Sequence, residues 1–134
     1  DGQKMSKSKD NAIDIFLTDK ALRKQIMSIK TDSTPLEDPK DWAVCNCFAI
    51  YELLASKQAL ETMKENYQAG GYGYGDAKQA LFELICKKFS FERERYNHYM
   101  SHPEEVEKIL TLGAGKAAAV ANSVLARVRK KLGY

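Results

Sequence analysis

Lys4 and Lys7 stand three residues apart, with Ser6 and Ser8 interleaved, in the string Lys4-Met5-Ser6-Lys7-Ser8. Ammonium groups supply mobile point charges, while hydroxyls and backbone N–H groups supply directional donors. The segment has no β-branched or bulky aromatic residue, so it can wrap a polyanion, and a triphosphate is the natural ligand. A solvated, flexible Lys/Ser-rich end is the plainer reading of the same composition. The full string argues against it. At ordinary frequencies of roughly 2–8% per residue, it should arise by chance in a chain this long on the order of once in ten thousand or fewer.

No other catalytic set is complete. Cys45, Cys47 and Cys86 form an odd number of thiols without the histidine partners that a zinc site needs, so they read as structural free thiols in a reducing, cytoplasmic setting. Gly70-Gly71-Tyr72-Gly73-Tyr74-Gly75 lacks the Gly-Lys-Ser/Thr ending of a phosphate loop and reads as a turn. His98 and His102 read as surface residues. No Ser/His/Asp arrangement and no metal-ligand cluster is legible.

The charge distribution supports polyanion contacts at two places. Residues 1–30 carry +3 and residues 113–134 carry +5, the latter without one carboxylate, whereas residues 31–69 carry −4. The apolar share of 44% suffices for a modest core. No run of 18 apolar residues and no signal-like segment occurs, and no membrane partner is expected. Asp1 opens the chain and the nearby Met5 lies inside the motif, so the sequence reads as the C-terminal portion of something longer.

Stepping out from the loop, the elements that must position it are helical. The expected fold class is all-α, a bundle of about five to six helices preceded by a short extended or loop segment. Residues 12–16 alternate briefly, and Thr18-Asp19 offer a start for a helix over 20–30 with Leu22, Ile26 and Ile29 on one face. Pro35 and Pro39 mark a joint. It divides residues 1–34, loop and linking helix, from residues 35–134, a helical domain. Residues 44–55 are apolar nearly all round and should be central. Ser56 caps a helix to about residue 68, and Asp76 caps one reaching about Met100. Glu92-Arg93-Glu94-Arg95 reads as a solvated face. Ser101 with Pro103 starts the next helix, which Gly113-Ala114-Gly115 interrupts. A last helix over 116–132 buries Ala117, Val120, Ala121, Val124, Val128 and Leu132. Beside that stripe lie Lys116, Ser123, Arg127, Lys130 and Lys131, with Arg129 apart. This sector is either an ordinary solvated face or an RNA-phosphate contact. The interleaved aromatics of base-reading modules are missing.

Lys4-Met5-Ser6-Lys7-Ser8 is identical to the KMSKS signature of class I aminoacyl-tRNA synthetases, and Asn11 matches an asparagine that often follows it. Further matches are Ile29-Lys30-Thr31-Asp32-Ser33, Tyr72-Gly73-Tyr74-Gly75-Asp76-Ala77-Lys78, the Ile109-Leu110 to Lys116-Ala117 segment, and Val128-Arg129 with Leu132-Gly133. Over essentially its whole length the chain resembles the bacterial tryptophanyl-tRNA synthetases. The resemblance implies a complete protein that activates tryptophan with ATP and Mg²⁺ and transfers it to its tRNA. In it Lys4 and Lys7 would be catalytic, neutralising charge on departing pyrophosphate. Lys4, Met5, Ser6, Lys7 and Ser8 would together hold the ATP phosphates, Met5 anchoring the loop. Lys116, Arg127, Lys130 and Lys131 would contact RNA, within an anticodon-side domain. No residue here is implied as a metal ligand. The full-length protein would be a cytoplasmic homodimer, and the 134-residue chain an inactive monomer.

The family's His-x-Gly-His-type turn and its tryptophan and adenine pockets are absent from these residues. Hence the loop is expected to be mobile at a frayed end. Two rival readings come from other classes: a free-standing helical RNA-binding module, and a helical protein–protein adaptor.

Overall fold

Apolar residues recurring at helical spacing give six α-helices and no strand in the computed structural model, which describes residues 1–134. They are α1 (Asp19–Met27), α2 (Asn46–Leu54), α3 (Lys57–Ala69), α4 (Tyr74–Lys88), α5 (Ser90–Ser101) and α6 (Pro103–Leu132). The fold is all-α, as expected. Two compact units divide the chain after Arg93, within α5.

In the first unit, α4 packs against both α1 and α2. Its Ala77, Leu81 and Ile85 repeat every fourth residue and are buried, forming one row on the helix. They meet Leu22 and Ile26 of α1, Cys47, Phe48 and Tyr51 of α2, and Met63 and Tyr67 of α3 in a single core. Tyr67 is its aromatic centre, edge-on to Phe48 at 5.8 Å and near Tyr72 and Tyr74 at 5.9 and 6.2 Å. Truncating Leu81 to alanine in such a core costs about 2–5 kcal/mol. Residues 44–55 are less central than expected. Cys47, Phe48 and Tyr51 are buried, but Val44 and Leu53 are 71% and 79% exposed. A nine-residue helix packed along one side cannot cover an apolar surface on every side.

Long basic side chains fasten the irregular segments to this core. Lys78 and Lys88 of α4 donate to the carbonyls of Met27 and Leu54, the last residues of α1 and α2. Carbonyls at helix ends lack intrahelical donors and carry the negative end of the dipole, so an ammonium there is favourable. Lys40 is buried, and its Nζ donates to the carbonyls of Pro35, Leu36 and Asp38 at 2.9, 3.2 and 3.1 Å. The same loop is tied to the last turn of α3 by Lys40 N–H to Tyr67 C=O and to the α3–α4 turn by Gly71 N–H to Leu36 C=O. Gly70 is required there. Its φ is +74°, and a Cβ would lie 2.3 Å from the Glu37 carbonyl oxygen.

Arg93 does not belong to a solvated face. It donates to the Ile15 carbonyl at 2.6 Å and pairs with Asp19. Partners 78 and 74 residues away leave no periodic trace in sequence. The expected helix from Asp76 to Met100 is two helices, broken at Phe89. Asp76 also sits inside α4, accepting from Gly73 N–H at 3.1 Å, rather than before it.

The second unit, residues 94–134, contains the end of α5 and all of α6. His102, not Ser101, precedes α6, and the Ser101 hydroxyl instead donates back to Asn97. Gly113 and Gly115 do not interrupt α6, which runs unbroken for 30 residues. Two glycines cost roughly 1 kcal/mol each relative to alanine, and no nearby cap or turn competes for them. Every residue from 107 to 134 is exposed, so the stripe through Val120, Val124 and Val128 is present in pattern but not buried. By length and composition α6 is long and apolar enough to cross a membrane, although it holds no unbroken run of 18 apolar residues. Lys116, Asn122 and Ser123 interrupt that run.

Candidate functional site

The Lys4–Ser8 loop is built by one reversal of the chain. Ser6 is extended at φ −151° and ψ 139°, Lys7–Lys9 form a tight 3-10 turn, and Asp10 takes the left-handed conformation at φ 51°. Aspartate is one of the few side-chain-bearing residues that enter this region routinely. Lys9 N–H bonds to Ser6 C=O and Asp10 N–H to Lys7 C=O, closing the turn. The chain then returns beneath itself, so that Asn11 reaches positions 4 and 6.

Asn11 Oδ1 accepts from Ser6 N–H at 2.8 Å, and Nδ2 donates to Lys4 C=O at 3.3 Å. Nδ2 also lies 3.1 Å from both carboxylate oxygens of Asp1. The expected frayed end is therefore folded back on its own polar bonds. The hydroxyls of Ser6 and Ser8 are 2.8 Å apart. Lys4, Lys7, Ser8 and Lys9 are exposed, and neither Lys4 nor Lys7 is held in an ion pair. Two free ammonium groups and a hydroxyl pair on one small turn can receive several phosphate oxygens at once.

Met5 is 47% exposed and lines a cleft of about 360 Å³. Asp1, Gln3, Lys9 and Asn11 also line this cleft, facing Gln25, Ile29 and Ile50. In its wall, Asn46 Nδ2 donates to Lys30 C=O at 3.0 Å.

The residue strings around Asp32 and Tyr74 meet in space. Tyr74 O–H donates to Asp32 Oδ1 at 2.7 Å, and Thr34 N–H donates to the same oxygen at 2.9 Å. Donation from Thr34 and then Tyr74 holds the Asp32 carboxyl below its ordinary range. Burial, reinforced by Asp32, pushes the Tyr74 phenol up to about 12. The contact makes a structural clasp between the segment after α1 and the start of α4.

The basic residues of the last helix are placed as the periodicity implied. Lys116, Arg127, Lys130 and Lys131 lie exposed on α6 without an ion pair. His98 and His102 stack at 4.4 Å, with His98 Nε2 3.0 Å from Glu105. The thiols are buried or half-buried and unbridged, and Cys45 Sγ lies 3.4 Å from the Tyr67 hydroxyl. No group of three or more His, Cys, Asp or Glu residues is arranged to hold a metal ion.

Sequence reasoning did not find the roles of Asn11, Lys40 or Arg93. Only Asn11 left a signal, its fixed place three residues beyond the serine-lysine string.

Comparison with known proteins gives the loop its context. A family model described as "tRNA synthetases class I (W and Y)" matches residues 1–90. The chain belongs to this synthetase family. It is similar at 44% identity, over 99% of its length, to the tryptophan–tRNA ligases of Campylobacter jejuni and Rhodopirellula baltica. It spans 42% of the length of each. The solved tryptophanyl-tRNA synthetase of C. jejuni superposes with a TM-score of 0.95, covering 99% of this chain and 43% of that one. A second structure, of the same C. jejuni enzyme complexed with ADP and tryptophan, gives a TM-score of 0.96 and covers all of this chain and 42% of that one. The synthetase resemblance thus extends beyond the family model, through α5 and α6.

Proposed function

We propose that this chain is the C-terminal part of a tryptophan–tRNA ligase and that its Lys4–Ser8 loop binds the phosphates of ATP. The observation that carries this reading is the loop itself: two unpaired ammonium groups and two adjacent hydroxyls on a closed turn, within a chain that matches such ligases from end to end. In the whole protein, a carboxylate oxygen of tryptophan attacks the α-phosphorus of ATP. The bond from that phosphorus to the bridging oxygen breaks, and pyrophosphate leaves with the electron pair. Lys4 and Lys7 meet the charge growing on pyrophosphate, while Ser6, Ser8 and nearby N–H groups orient it. Positioned charge of this kind acts most strongly where charge develops in the transition state.

Mg²⁺ would enter with the phosphates of ATP, since the loop offers ammonium groups and hydroxyls, not a carboxylate cluster. Residues 1–34 belong, in this reading, to the catalytic side and residues 35–134 to an anticodon-side helical domain. The exposed cations of α6 meet the tRNA backbone, and its apolar stripe packs on protein. The whole enzyme is a cytoplasmic homodimer, whereas the 134-residue chain by itself is monomeric and inactive.

Tryptophan-dependent pyrophosphate exchange tests this in the full-length protein. Lys7→Ala should slow exchange by about 10²–10³-fold, as removal of one transition-state donor does elsewhere, and leave tryptophan affinity within about twofold. Equal losses in rate and affinity would make Lys7 structural. Exchange by the 134-residue chain alone would overturn the division of labour.

A second reading, a free-standing RNA-binding module, is favoured by one observation, the carboxylate-free basic end of α6. Salt-dependent tRNA retention by this chain without any longer protein would support it.

A further inference from the structure

We propose that Asn11 is a positioning residue for adenylate formation, acting by holding the backbone of Lys4 and Ser6 in the shape that presents the two lysines. This rests on the reading of the loop as the ATP-phosphate binder.

The argument begins with what one carboxamide can do. It carries an acceptor and two donors in one plane, so it can take the place of a peptide group from an adjacent strand. Asn11 does this for the segment around Met5: Oδ1 accepts from Ser6 N–H, and Nδ2 donates to Lys4 C=O. Both ends of the Lys4–Ser6 segment are thereby fixed by one side chain. Nδ2 also contacts the Asp1 carboxylate, bringing the approach to the motif into the same clamp.

No other side chain is bonded to the backbone of residues 4–6. The turn from Ser6 to Asp10 closes on itself through Lys9 N–H and Asp10 N–H. Without Asn11 that turn would remain, but its orientation relative to Lys4 would not be set. Lys4 and Lys7 would then sample separations at which they cannot both reach one pyrophosphate. The free backbone N–H of Ser6 would also be left without its acceptor. Misplacement of a charged group by about 1 Å can cost on the order of a hundredfold in rate.

Neither end of the amide can be replaced singly. Asparagine alone among the short side chains offers both an acceptor and a donor from one rigid plane. Aspartate at the same place keeps the acceptor for Ser6 N–H, loses the donor to Lys4 C=O, and adds negative charge beside Asp1 and any bound phosphate.

The test uses the full-length enzyme, with variants Asn11→Ala and Asn11→Asp compared with Lys7→Ala. Tryptophan-dependent pyrophosphate exchange gives kcat and the KM for ATP, active-site titration corrects for inactive protein, and tryptophan affinity is measured directly. Both Asn11 variants should lose about 10–100-fold in kcat per active site, with tryptophan affinity within twofold of the parent. Rates per site within twofold of the parent, while Lys7→Ala is strongly impaired, would overturn the role of Asn11 and leave the loop reading standing. A Lys7→Ala enzyme as fast as the parent would instead overturn the loop reading. Loss of tryptophan binding in both Asn11 variants would make Asn11 a folding residue and also overturn the proposal.

Discussion

Four cations of the first unit and four of α6 share residue types but not partners. In residues 1–93, Lys40, Lys78, Lys88 and Arg93 each end on a backbone carbonyl, and Arg93 adds a carboxylate. In α6, Lys116, Arg127, Lys130 and Lys131 end in solvent with no ion pair. A lysine that satisfies carbonyls stabilises loops and has little positive potential left to offer. A lysine standing on a helix with no carboxylate nearby keeps all of its potential for an external polyanion. Each of these side chains carries the same formal charge, and what differs is its partner.

Three changes break or sharpen that contrast. The largest effect is expected from Lys40→Met, which leaves the carbonyls of Pro35, Leu36 and Asp38 without their shared donor. Unsatisfied buried groups cost about 1–3 kcal/mol each at full burial, and water will reach some of these, so a loss of about 2–4 kcal/mol in chemical denaturation is expected. A loss under about 0.5 kcal/mol would remove Lys40 from the fastenings.

Next comes the joint replacement of Lys116, Arg127, Lys130 and Lys131 by alanine in the full-length protein. tRNA affinity at low salt should fall by about 10–100-fold, with a shallower salt dependence, because fewer counterions are released on binding. The melting temperature should hardly move. A large thermal loss with unchanged tRNA affinity would reverse the assignment of the two regions.

The smallest effect is confined to high pH. Burial pushes Tyr72 and Tyr74 up to about 12 from an unfolded value near 10, and Tyr67 higher still. A raised folded pKa means that the unfolded chain loses its proton first. The stability these phenols contribute is therefore complete below pH 10 and declines as pH rises from 10 through 12. Far-ultraviolet ellipticity and tyrosinate absorbance should change together in that window, and early tyrosinate absorbance without helix loss would contradict it. Tyr72→Phe should blunt the decline.

How far the sequence carried depended on the range of the interactions. Repeats such as Leu22 and Ile26, or the basic sector of α6, are encoded within a few residues and were legible. So was Ser56, whose hydroxyl accepts from Ala59 N–H. The break at Phe89 was not legible, because no glycine or proline marks it. Gly113 and Gly115 misled in the other direction, since glycine weakens a helix without stopping it. Arg93 and Lys40 look like ordinary surface charges until the chain is folded. In the loop, the chemical types at Lys4, Ser6, Lys7 and Ser8 were readable, but the reversal at Asp10 and the return of Asn11 were not. A left-handed aspartate is an option that the sequence permits without requiring it.

The uninterrupted course of α6 also sets a scale. Lys116 and Lys131 lie fifteen residues apart on it, about 22 Å at the usual helical rise. That is more than twice the screening length of about 8 Å at physiological ionic strength. The two ends of the basic face therefore do not share one field. Under the proposed tRNA contact, each would meet its own phosphates, and a short anion would occupy one end only. An RNA long enough to reach both would gain the second contact at the high local concentration set by the first, so α6 would act as a ruler that selects its polyanion by span.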